Sequence, residues 1–141
     1  MLEKLQKRKR KGGFTLVEVI VVLVILAILA ALLVPRLTGW IDESKNKAAI
    51  TEGHLVLSAL QAAASDLYAK GDEDTITGEA LTSSHTFTTL ASGKEFKTEN
   101  ISNVACSAGT ITGFDYTASN GKEITYTYDS SEGTGDFEMK V

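Results

Sequence analysis

The chain has 141 residues, one cysteine and a net charge of −4, a length that fits one domain with appendages. The lone Cys106 excludes an intramolecular disulfide and a Cys-x-x-Cys metal or redox site, and it reads as a small buried hydrophobe. Lys4, Lys7, Arg8, Lys9, Arg10 and Lys11 against Glu3 give residues 1–13 a charge of +5, so residues 14–141 carry −9. That acidity excludes a nucleic-acid groove of clustered Lys and Arg and favours a soluble surface that resists random association.

In chain order, the basic leader runs to the pair Gly12-Gly13. Phe14 to Val34 follows as FTLVEVIVVLVILAILAALLV, long enough as a helix (about 32 Å) to cross a bilayer core. A soluble remainder this small could not wrap all sides of such a helix. The basic cluster predicts a cytoplasmic N-terminus, with residues beyond about 36 outside. A secretory signal would have a shorter apolar run and a cut after it, which Ala30-Ala31 imitates weakly. The glycine pair instead stands before the run, where it offers extended, unobstructed backbone to a protease on the cytoplasmic side.

Glu18 is the one charged residue in the run, and a carboxylate at the centre of a span costs about 2.5–3.5 kcal/mol, less near the interface. It can snorkel or stay protonated, or it awaits a cation. A cut after Gly13 would create one, the α-ammonium of Phe14. The same amine on a neighbouring copy would set the register between identical helices in a low-dielectric core.

Gly13-Phe14-Thr15-Leu16-Val17-Glu18, with the basic leader, the span and Pro35, closely resembles the class III signal and first helix of type IV pilins and pseudopilins. The resemblance covers about residues 8–60. It implies removal of leader 1–13 by a membrane prepilin peptidase, which cuts at Gly13/Phe14 and N-methylates Phe14. It implies pairing of Glu18 with the Phe14 amine of the adjacent subunit. Partners would be further copies in a helical filament, the inner-membrane assembly platform, and the membrane before assembly. No direct nucleic-acid binding, cofactor or enzymatic activity is implied.

Pro35 and Gly39 mark a bend or soft segment, with Ala27–Arg36 the stretch that resemblance makes partly unwound in filaments. Helical periodicity resumes on Leu37, Ile41, Ala48, Leu55, Ala59, Ala62 and Ala63, with Lys45 and Glu52 intruding on the stripe's edge. The helix ends at Lys70-Gly71. Residues 14–35 form its filament-core half, 36–70 its amphipathic half and 71–141 the head.

Within the head, residues 71–105 give polar loop signals at Asp72-Glu73-Asp74, and irregular backbone or a short helix at Thr82-Ser83-Ser84. Strands follow at Phe114–Thr117, Ile124–Tyr128 and Phe137–Val141, the first two joined by a two-residue turn at Asn120-Gly121. The apolar stripe on residues 41–63 can cover their apolar face. The fold class is α+β: a long N-terminal helix on a small antiparallel meander.

His54 and His85 lack metal-ligand spacing, and no nucleophile or phosphate-loop motif occurs. No metal site is expected, although Asp72-Glu73-Asp74, or Asp129, Glu132 and Asp136 beside Gly133 and Gly135, offers oxygen ligands of the kind Ca²⁺ takes. Asn100-Ile101-Ser102 is an N-glycosylation triplet. The expected role is a pilus subunit for adhesion, motility or biofilm, located in the cell membrane and then in an extracellular filament. Two alternatives stand beside it: a pseudopilin of a secretion or DNA-uptake machine, and a single-span anchored domain whose FTLVE is accidental.

Overall fold

A computed structural model describes residues 12–71, 76–93 and 96–140 of the chain. Leader residues 1–11, the Asp72-Glu73-Asp74 cluster and Val141 lie outside the described residues. The chain divides between Trp40 and Ile41 into two compact units.

Helix α1 (Leu16–Ala69) is 54 residues long, with Pro35 inside it. Through Val34 its large apolar side chains are exposed on every side, as a helix built for lipid or for other helices requires. Among the described residues, α1 is the one helix long and apolar enough to cross a membrane. It stops where the sequence places the stop: Gly71 takes a left-handed φ of +83°, which L side chains avoid, and its N–H bonds Tyr68 O at 3.1 Å.

In the second unit, α2 (Gly78–Ser83) and α3 (His85–Ala91) follow the helix, then a 3₁₀ turn (Thr98–Asn100). Ser84 ends α2 and caps α3, its hydroxyl accepting from Phe87 N. Strands β1 (Ile101–Ser107), β2 (Thr110–Thr117), β3 (Glu123–Asp129) and β4 (Thr134–Met139) form one antiparallel meander in the order β1-β2-β3-β4. The architecture is therefore α+β, as the sequence indicates. Val56 and Leu60 of α1 are fully buried in one core with Leu81, Phe87, Phe114 and Tyr116.

Three details differ from the sequence reading. The face of α1 in the core runs through Ala49, Gly53, Val56, Leu60 and Ala64, sharing Ala59 and Ala63 with the expected stripe, while Ala48 and Leu55 are exposed. Close approach decides this: a Cβ at Gly53 would collide with Ile124 and Phe137, so the one glycine of this segment must face the sheet, and Val56 and Leu60 are buried with it. Strand β1 was not anticipated. Its register shifts twice and Asn103 sits at φ +52°, which destroys the alternation that marks a strand. Between β2 and β3, the Ala118 N–H to Lys122 O bond at 2.8 Å encloses a turn of three residues, Ser119-Asn120-Gly121. Of these only Gly121 has a positive φ, whereas a two-residue type I′ turn needs two.

Candidate functional site

The chemistry-bearing residues gather where the apolar helix begins. Gly12, Gly13, Phe14 and Thr15 precede the helix. A Cβ added at either glycine would meet nothing within 4 Å, and Phe14 is 88% exposed. Among the described residues, the backbone on both sides of the Gly13–Phe14 bond is thus unobstructed.

Helix α1 starts where it does because Thr15 and Glu18 cap it reciprocally. Thr15 N–H donates to Glu18 Oε2 at 2.8 Å, and Glu18 N–H donates to Thr15 Oγ1 at 3.3 Å. Two N–H groups that the helix leaves without partners are satisfied together, the geometry of a capping box. Thr15 did not figure among the expected site residues, although Thr-x-x-Glu ahead of an apolar run is the sequence signature of this motif. Glu18 therefore stands one turn from Phe14 with its carboxylate turned toward the helix start.

Pro35 lies in unbroken helical assignment, as does all of Ala27–Arg36. Lacking an N–H, it leaves the carbonyl of Ala31 without the usual helical donor. Its own carbonyl accepts from Thr38 Oγ1 at 2.9 Å.

The acidic residues near the β3–β4 turn serve local geometry. Asp129 Oδ1 accepts from Ser131 N–H at 2.8 Å and Ser131 Oγ at 2.6 Å, and Asp136 Oδ1 accepts from Phe137 N–H at 2.8 Å. Asp129, Glu132 and Asp136 do not converge, and no group of three or more His, Cys, Asp or Glu able to hold a metal ion occurs among the described residues. Asn100 closes the 3₁₀ turn and Ser102 lies in β1.

Two polar residues of α1 that sequence reading passed over hold the sheet. Glu52, read as a blemish on the stripe, accepts from Tyr116 Oη at 2.8 Å, from Ser119 N–H at 2.9 Å and from Ser119 Oγ. Burial pushes the Glu52 carboxyl up, but these hydrogen bonds outweigh it, so its pKa falls below the ordinary value. Gln61 donates to Gly109 O at 2.7 Å and accepts from Ile111 N–H at 3.0 Å, clamping the β1–β2 turn, where Ala108 and Gly109 both take positive φ. On the other face of the sheet, Asp115 accepts from Asn103 and Thr125, each at 2.6 Å, and from Lys140 at 3.2 Å. One carboxylate thus ties β1, β2, β3 and the residue after β4.

Residues 8–34 match the family model described as the prokaryotic N-terminal methylation motif, the class III signal of type IV pilins and pseudopilins. The match spans the end of the leader, the glycine pair, the capping box and the apolar run through Val34. No curated protein and no solved structure matches the chain.

Proposed function

We propose that this chain, a pilin-like or pseudopilin precursor by the methylation motif it carries, is the structural subunit of a type IV surface filament. The observation that carries the reading is the Gly12–Glu18 segment: an open glycine pair, an exposed Phe14 and a single capped carboxylate at the head of an apolar run that carries no other charge through Val34.

A membrane prepilin peptidase cuts after Gly13, removes leader 1–13 and methylates the new amine of Phe14. The span holds the subunit in the membrane with its N-terminus on the cytoplasmic side, and the head lies outside. Assembly then draws the helix from lipid into a bundle of copies, helped by the inner-membrane platform. Burial among those helices raises the cost of an unpaired charge, so a Phe14 ammonium from one copy and Glu18 of the next settle opposite each other. That pairing fixes the axial step. Pro35 supplies the weak point at which the helix can locally unwind as the filament packs. The acidic head faces water.

The test is Glu18→Ala. This variant is expected to insert and to be cut after Gly13, because both steps precede charge pairing, yet to enter filaments poorly or out of register. Normal filaments made of Glu18→Ala subunits alone would overturn the pairing.

A further inference from the structure

Trp40 is the chain's one tryptophan, and its side chain is 73% exposed. An indole is a large apolar ring with one N–H donor, a group that water solvates poorly and hydrocarbon leaves with an unmet donor. Its place along α1 resolves that conflict. From Leu16, the first residue of the helix, to Trp40 the rise is about 36 Å. A bilayer's hydrocarbon core is about 30 Å thick, and about 40–45 Å with its headgroup layers. A helix that begins at one edge of the core therefore brings Trp40 past the far edge and into the opposite headgroup layer.

The neighbours agree with that depth. Leu33, Arg36 and Leu37 share the face of Trp40 at helical spacing, and Leu33 and Leu37 are exposed. This face is apolar first, then cationic and aromatic. Such an order suits a lipid boundary, because an Arg stem lies along acyl chains while its head meets phosphate, and an indole seats at the ester level. Asp42 and Glu43 come next, and their charge keeps the following turn out of an anionic headgroup layer.

We propose that Trp40 and Arg36 form an interfacial anchor for the outer leaflet. The indole lies at the headgroup–acyl boundary with its N–H donating to lipid ester or phosphate oxygens, and the guanidinium meets phosphate. The anchor fixes how far the helix is drawn into the bilayer before assembly, and its release is part of leaving the membrane. The inference rests on the membrane-spanning reading of residues 14–34 and adds a residue-level depth marker to it.

With one tryptophan, the native chain reports its own depth. The full chain is reconstituted into phosphatidylcholine/phosphatidylglycerol vesicles whose acyl chains are brominated either near the headgroup or near the chain end, and flotation is scored beside emission. The expected result is flotation, blue-shifted emission, and stronger quenching by the shallow bromines than by the deep ones. Floating chain with water-like, unquenched emission overturns the anchor and leaves the span intact. Blue-shifted but unquenched emission assigns the indole to a second copy and also overturns it, as does stronger quenching by deep bromines. Chain that fails to float overturns anchor and span together. In chains carrying Trp40→Phe, Arg36→Gln and Leu33→Trp, the reporter at position 33 is expected to lose its fixed depth and show quenching spread over both lipids.

Discussion

Glu18 accepts the Thr15 N–H within its own chain, so its carboxylate is already engaged before any second copy arrives. The proposed pairing with a second copy's ammonium would exchange one charge-assisted bond for another, which becomes favourable only once water is excluded. Glu52 shows how differently a carboxylate on the same helix can be used. Its three accepted bonds come from the end of β2 and the following loop, and Glu52→Ala leaves the hydroxyl of the buried Tyr116 without its acceptor. The expected loss is about 1–3 kcal/mol, read from thermal unfolding of the chain in detergent micelles. Because the folded carboxyl sits below its ordinary value, Glu52 contributes fully above the unfolded value of about 4.3. That contribution is lost as pH falls through the lowered folded value. Glu52→Gln should flatten the acid limb of the stability profile, and an unchanged limb would remove Glu52 from it. At this scale Gly13, Phe14 and Glu18, on which the proposed cut, methylation and pairing rest, stand out in the sequence because each breaks a local pattern. Glu52 and Gln61 were not, since a polar residue at the edge of an apolar stripe looks like noise until its partner strand is known.

At the scale of elements, helix and sheet meet through Gly53. A side chain there would strike Ile124 and Phe137, so Gly53→Ala should overpack the joint and cost about 1–3 kcal/mol, despite alanine's better helix propensity. A stabilised Gly53→Ala protein would contradict the close approach. The long helix, its end at Gly71 and strands β2 and β3 were readable because period and turn residues agree there. The phase of the helical face was not. Two apolar faces run along the same segment, and periodicity alone cannot say which one a sheet will accept. Strand β1 escaped because its bulges are fixed by tertiary contacts, including the Asn103 bond to Asp115, rather than by local alternation. The turn at Ala108-Gly109 escaped for a related reason: alanine seldom takes φ +47°, and Gln61 helps hold it there.

Across the whole molecule, charge and hydropathy divide the labour. The positive leader, the apolar run whose one charge is Glu18, and the acidic remainder are three segments of distinct character. The proposed cut at Gly13 removes all the leader's positive charge at once and leaves a chain of −9 side-chain charge, suited to a surface that does not cling to its neighbours at random. The head has no disulfide. Its integrity rests on one core and on the ties made by Glu52, Gln61 and Asp115, so its stability should fall with acid more than with reductant. The most direct measurement is the intact mass and N-terminal residue of the protein in sheared cell-surface material. A chain beginning at N-methylated Phe14 in a filament fraction is the predicted result. The same processed chain confined to the membrane would point to a pseudopilin, and a chain beginning at Met1 or cut after Ala31 would contradict the processing and assembly proposed for it.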